Sequence, residues 1–334
     1  LLSDNKKIDI DVDNIEGIGF FQRYITGRKS RDEIAYQGNI WWIAQEDKYF
    51  AAALASLSKT NDAKIWKWGK DSKNHGVEIA YKVEGEKGKF LLYAGPKKDE
   101  ILKPLDVGLE HIIDFGTFSI IARPLFWLLK FLYKIIGNYG WAIILLTILT
   151  RIPFIPLLNK SQKSMKKLQD IQPHMAEIKE KYKKDPQKMQ KEMMGLYKKH
   201  KVNPVGGCLP MLIQLPVFLA LYQILLIAIE LQGAPFFLWI TDLSAPDRLP
   251  IGIQIPYVGN GIPVLTLLMG ATMVIQQKIT PTAMDPLQAK MMMLMPIIFT
   301  FMFLNFPAGL VLYWLVNNTL GIVQQVYVNK KSKS

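Results

Sequence analysis

The feature that most constrains this chain is the gathering of apolar residues into five long runs, at residues 139–158, 207–229, 262–277, 291–306 and 310–328. A backbone crossing lipid must satisfy its own N–H and C=O groups, so such runs are expected to be membrane-crossing helices. At 1.5 Å per residue the first covers about 30 Å, the thickness of the hydrocarbon layer. The 16-residue third and fourth reach only about 24 Å, which suits a locally thinned bilayer. Half of the 334 residues are hydrophobic, a membrane-protein composition.

Charge is sorted along the chain. Residues 1–114 hold 18 Lys/Arg against 19 Asp/Glu, so the net +13 arises in the oily remainder. Between residues 159 and 201, 13 lysines face five acids, and the tail "NKKSKS" adds three more lysines. The stretch 230–261 is net negative, with Glu230, Asp242 and Asp247 against Arg248. Basic loops stay on the cytoplasmic side, so the N-terminal region is expected outside and the tail inside.

These signals divide the chain into a β-rich extracytoplasmic region (1–114), an interfacial amphipathic helix (115–138), a span (139–158), a basic helical hairpin (159–202), a span (203–230), an outer loop (231–261), three spans (262–328) and a basic tail (329–334). The expected fold is an all-α polytopic membrane protein. A five-helix core carries a cytoplasmic hairpin, with a partial β-sandwich at the N-terminus. Leu1 follows no charged n-region or apolar h-region, so it reads as the edge of a fragment with a signal or anchor segment expected upstream.

In the first region "VEIAYKVEGEKGKFLLYAG" has two alternating stretches about a turn, and "IWWIAQEDKYFAAAL" adds residues that strands favour. The segment "FSIIARPLFWLLKFLYKII" reads as a helix with Pro124 in its first turn and Lys130 and Lys134 on one face. It either lies in the membrane interface or packs on the soluble region. In the basic loop Met165, Leu168, Ile171, Met175, Ile178 and Tyr182 recur at helical spacing. After Asp185-Pro186 a second stripe follows with Met189, Met193, Leu196 and Tyr197. The pair is either a solvated anchor of topology or a docking platform. In the second case Lys163, Lys166, Lys167, Lys183, Lys184, Lys198 and Lys199 would meet RNA or anionic lipid.

Catalytic motifs are absent. The sequence has no G-x-x-x-x-G-K-[ST], G-x-S-x-G or H-E-x-x-H, and one cysteine (Cys208) with four histidines gives no zinc spacing. No catalytic residue, metal or cofactor is expected, and the protein reads as a non-enzyme. The five runs enclose Arg151 and no Asp, Glu, Lys or His, an inventory that argues against ion-coupled transport.

Arg151 is therefore an intramembrane cation without an intramembrane carboxylate. It lies seven residues before Leu158, roughly 11 Å inside the helix end. Either it snorkels to the interface or it faces a wet cavity. Thr147, Gln214, Gln276, Gln277, Asn317 and Asn318 supply uncharged polar groups that could line such a cavity or join helices. Of the 14 methionines, Met291, Met292, Met293 and Met295 cluster in "AKMMMLMP", and Met269, Met273 and Met302 lie in the same runs. They suit a surface accepting varied apolar helices, or gap-filling in a packed bundle.

Residues 185–225, "DPQKMQKEMMGLYKKHKVNPVGGCLPMLIQLPVFLALYQIL", closely resemble the cytoplasmic loop and following span of the YidC family of membrane-protein insertases, within the Oxa/Alb superfamily. "GNYGWAIILLTILTR", "APFFLWITDLSAPD" and "TPTAMDPLQAKMMMLMPIIFTFMFLNFPAGLVLYWLVNN" resemble the same family in the same order. The resemblance covers residues 118–328, and "YFAAAL" and "LLYAGP" are similar to the end of the bacterial periplasmic domain. Bacterial members often add an N-terminal span and a larger periplasmic β-sandwich, which this stretch lacks.

The resemblance implies a hydrophilic groove holding Arg151 with Thr147 beside it, and helices whose Tyr313 and Trp314 touch the client's apolar segment. The implied function is an ATP-independent insertase and chaperone of the bacterial inner membrane. Its implied partners are nascent integral membrane proteins and membrane lipids, with the Sec translocon, the signal recognition particle and its receptor, and the ribosome as candidates; DNA is not among them. An anion-binding solute transporter and a structural assembly factor stay as alternatives.

Overall fold

The computed structural model describes residues 33–37, 42–57, 60–68, 76–83, 89–200, 209–255, 258–279 and 286–331. Expectations for residues 203–208, with Cys208, and 332–334 lie outside these. The chain divides into two compact units, Leu1–Ile120 with Ile227–Glu230, and Ile121–Leu226 with Leu231–Ser334.

Among the described residues of the first unit, six strands form two antiparallel sheets. Strands β1 (Glu33–Gln37), β4 (Thr60–Trp68) and β5 (Gly76–Val83) make one, and β2 (Trp42–Glu46), β3 (Phe50–Ser56) and β6 (Phe90–Pro96) the other. The two alternating stretches are strands, while the "EGEKGK" turn between them lies, but for Lys89, outside the described residues; β5 pairs with β4, and β6 with β3. The β3 sequence "FAAALAS" explains the second sheet. Alternation buries Ala51, Ala53 and Ala55 on one face, and their short side chains leave room for Leu102, Val107, Leu109 and Ile112 to pack with Trp42. Those residues come from the one-turn helix α1 (Asp99–Leu102) and the turns after it.

The second unit is helical. Helix α2 (Ser119–Ile136) buries Ala122, Phe126, Leu129 and Leu132, while Ile120, Trp127, Phe131 and Ile135 stay exposed. Pro124 lies in the interior of this helix rather than in its first turn, because the chain already turns helical at Gly116–Phe118. Helix α3 (Tyr139–Arg151) is capped by Asn138, whose side chain accepts a bond from the Trp141 N–H at 3.2 Å. It ends at Arg151 because Pro153 cannot donate, and the chain tightens into a 3₁₀ turn, Ile152–Phe154. Helix α4 (Ile155–Asp170) then continues, so the apolar run 139–158 divides between two helices and α4 carries its end into the basic region.

Helices α5 (Gln172–Lys181) and α6 (Pro186–Lys199) follow, the latter capped by Asp185, which accepts from the Lys188 N–H at 3.0 Å. Leu168, Ile171 and Met175 pack with Met193, Leu196 and Tyr197, and the His174 and His200 rings lie 6.2 Å apart, so α5 and α6 run antiparallel.

Helix α7 (Leu209–Ile227) leads into a long connection holding β7 (Leu249–Ile255) and β8 (Gly259–Ile262), followed by α8 (Val264–Ile279), α9 (Pro286–Phe303) and α10 (Ala308–Lys331). Helix α10 is the hub, packing against α3, α4 and α8. Helices α8 and α9 meet where Gly270 faces Thr300; a Cβ at Gly270 would lie 2.2 Å from the Thr300 Oγ1. Among the described residues Tyr139–Leu168 is long and apolar enough to cross a membrane. The apolar stretches Gln214–Ile227, Val264–Ile279 and Met291–Phe303 are shorter.

The connection between α7 and α8 is tied down by two adjacent charges. Asp247 is 2% exposed; its Oδ1 accepts from Trp239 Nε1 at 2.6 Å, and its Oδ2 accepts from the Leu265 and Thr266 N–H groups at the start of α8. Arg248 donates to the carbonyls of Val258 (2.6 Å) and Leu304 (2.9 Å) and to Asn305 Oδ1 (3.0 Å). Burial lowers the pKa of this guanidinium, and the Asp247 carboxylate opposes the shift. At the start of α10, the Ala308 and Gly309 N–H groups donate to the carbonyls of Ala245 and Leu243.

Candidate functional site: a cation among neutral amides

Arg151 is the last residue of α3, and its side chain reaches across to α10. Nη1 donates to Asn317 twice, to the main-chain oxygen at 3.0 Å and to Oδ1 at 2.6 Å. Nη2 donates to Gln324 Oε1 at 3.4 Å. The same Asn317 Oδ1 accepts from Gln214 Nε2 of α7 at 2.9 Å, and Gln214 Nε2 also lies 3.5 Å from the Tyr313 hydroxyl, a weak contact. Gln324 is held in turn, its Nε2 donating to Asn159 Oδ1 of α4 at 2.9 Å.

The result is a line of polar groups along one side of α10. Tyr313, Asn317 and Gln324 follow at steps of four and seven residues, which return to the same helix face. Gly321 lies between them, and its missing side chain matters. A Cβ there would stand 2.8 Å from Gln276 Nε2 and 3.3 Å from Arg151 Nη2, so this glycine is where α8, α10 and Arg151 converge. A cleft opens beside the guanidinium, lined by Thr150, Phe154, Leu157, Leu158, Gln214 and Val217. One part offers hydrogen bonds and the other only hydrocarbon.

Electrostatically the site is unbalanced. Among the described residues no carboxylate lies within 4.0 Å of Arg151, and its bonded acceptors are all neutral. Neutral oxygens bond a guanidinium well without cancelling its charge. The arrangement therefore keeps a cation, partly desolvated, next to a small cleft. Such a place attracts anionic groups and is poor at general acid–base chemistry.

The expected residues fall into distinct places. Arg151, Gln214, Gln276, Tyr313 and Asn317 are brought together. Thr147 is not on the cleft: it is 2% exposed, and its hydroxyl donates back to the Ile143 carbonyl at 2.7 Å, while Thr150, one turn on, lines the opening. Tyr313 is also 2% exposed, so the face expected to meet a client lies within the bundle. Trp314 turns elsewhere, into rings of Phe218 (4.6 Å) and Phe303 (5.0 Å). Gln277 is half-buried, with no bond joining it to the others among the described residues. Asn318 is buried and donates to Thr272 Oγ1 of α8 at 3.4 Å, a tie between helices.

Asn159, Gln324, Gly321 and Thr150 went unrecognised in the sequence. The seven-residue step from Asn317 to Gln324 was the available signal. Of the basic residues, Lys163, Lys167, Lys183, Lys184, Lys198 and Lys199 are exposed on or between α4, α5 and α6, and Lys166 is partly covered.

Comparisons with known proteins agree with this architecture. Residues 131–334 match the 60Kd inner membrane protein family, and residues 6–128 match the YidC periplasmic domain. The membrane protein insertase YidC of Syntrophobacter fumaroxidans is 47% identical over 320 residues, covering 93% of this chain and 58% of that protein. Its counterpart in Pelobacter propionicus is 50% identical over 303 residues, covering 88% and 55%. A crystal structure of an active YidC insertase with its first transmembrane domain resolved superposes with a TM-score of 0.50 at 25% identity, over 88% of this chain and 64% of that one. The chain spans about half the length of the curated relatives it matches. It belongs to the 60Kd inner membrane protein family, the family of the YidC insertases.

Proposed function

We propose that this protein is a membrane-protein insertase and chaperone that works without ATP hydrolysis or covalent chemistry. The observation that carries the reading is the uncompensated Arg151 held among neutral amides, inside helices whose outer surfaces are apolar. On α9 Met291, Met293, Ile297, Ile298 and Phe301 are exposed, a surface on which a client helix can slide. A hydrophilic client tail enters the cleft from the cytosol, drawn by the cation. The client's apolar segment moves along the outer face of the helices into lipid. Transfer yields about 25 cal/mol per Å² of apolar surface, and the polar ladder shortens the dry path that the tail must cross.

In this reading α3–α4 and α7 to α10 form a five-helix core, with the basic hairpin and tail cytoplasmic and the N-terminal region periplasmic, in the bacterial inner membrane. The exposed apolar stripe of α2 favours an interfacial position for that helix. The exposed lysines of α4 to α6 are the proposed contacts for the ribosome, for targeting factors or for anionic lipid, and the Sec translocon is a proposed neighbour.

Photocrosslinkers placed at Thr150, Gln276 and Gln214 test the reading against a ribosome-held nascent membrane protein. Crosslinks from all three positions are expected. A client that inserts while crosslinking at none of them overturns the groove as its route.

A further inference from the structure

The two terminal nitrogens of Arg151 are unequal. Nη1 has both its bonds on Asn317, at 3.0 and 2.6 Å, and Asn317 is itself fixed by Gln214. Nη2 has one long contact, 3.4 Å to Gln324 Oε1, and the missing side chain at Gly321 lets it lie close against α10 beside the Gln276 amide. Gln324 is anchored from its other end, where Nε2 donates to Asn159 at 2.9 Å. An amide oxygen so placed sits where a carboxylate oxygen would sit, bonds more weakly than one, and can leave Nη2 without losing its bond to α4.

We infer that Gln324 is a resident stand-in for the client: its amide oxygen occupies the Nη2 position of Arg151 when the groove is empty and yields it to an acidic side chain of the passing tail. This rests on the insertase reading above. Gln324 is thus a specificity-determining position, setting how strongly the groove favours acidic over neutral tails. A neutral stand-in lowers the cost of leaving Arg151 bare. Its competition with the client keeps acidic tails from being held too long.

The test uses the full protein in native membranes and two single-span clients that differ only in an acidic or neutral translocated tail. Crosslinking from Thr150 and insertion rate are the readouts. Gln324→Glu presents a permanent carboxylate to Nη2, and crosslinking of the acidic client should fall roughly tenfold, to the level of the neutral one. Gln324→Met removes the competing oxygen at similar volume, and the acidic client should crosslink several-fold more and leave more slowly. Asn159→Ala, which unties Gln324, should shift the acidic client in the same direction as Met. Folding of each variant is checked by its melting temperature in detergent, and the readout is the ratio of acidic to neutral client crosslinked. An unchanged acidic-to-neutral ratio in both Gln324 variants, with wild type crosslinking normally, overturns the inference alone. Absence of crosslinks to either client in wild type takes down the insertase reading and this inference with it.

Discussion

Two arginines in the helical unit sit in opposite kinds of surroundings. Arg248 follows a buried carboxylate, and its donors end on carbonyls and an amide oxygen that lock the α7–α8 connection to the end of α9. Arg151 likewise bonds only neutral oxygens, but among the described residues no carboxylate adjoins it as Asp247 adjoins Arg248. The Asp247–Arg248 region satisfies a buried charge and spends it on architecture. The Arg151 region leaves a charge unanswered, and that is the arrangement a binding site needs and a structural joint avoids.

The sharpest way to break this contrast is Asp247→Ala, which strands the Trp239 indole and two α8 N–H groups. It should lower stability by about 3–5 kcal/mol, read as a fall in melting temperature in detergent. Arg151→Ala should do the reverse in kind: stability within about 1 kcal/mol of wild type, but insertion of clients with charged translocated tails reduced roughly tenfold. If the two variants melt alike, the contrast is wrong. Gly270→Ala should cost about 1–3 kcal/mol, since Thr300 stands where the new methyl would go. Trp239→Phe, which removes one donor from Asp247, should cost about 1 kcal/mol in the same assay. Replacing Lys198 and Lys199 by Gln should leave the melting temperature within about 0.5 kcal/mol of wild type while weakening pelleting with ribosomes or anionic vesicles.

Much of the helical unit was legible because its signals are local. Asp185-Pro186 marks a helix start, and the stripes of methionine and leucine in the basic segment give its two packed helices, whereas the break at Pro153 within the run 139–158 was not foreseen. What stayed hidden depends on partners distant in sequence. The strands around residues 76–96 alternate correctly, yet nothing local says that β6 joins β3 rather than β5. Thr147 and Thr150 look equivalent in the sequence, and only the packing of α3 decides which one faces the opening. Asn159 lies just past an apolar run and reads as the start of a loop, although it is two turns along the same helical path as Arg151. Amides give no hydropathy signal strong enough to separate a cleft from a helix–helix tie, as Asn317 and Asn318 demonstrate side by side.

The 3₁₀ turn at Ile152–Phe154 makes α4 a lever with its pivot immediately after Arg151. Its short arm holds Asn159, which steadies Gln324, and its long arm ends in the lysine-bearing pair α5 and α6. The bond that holds Gln324 and the approach to the basic pair are therefore carried on one and the same helix.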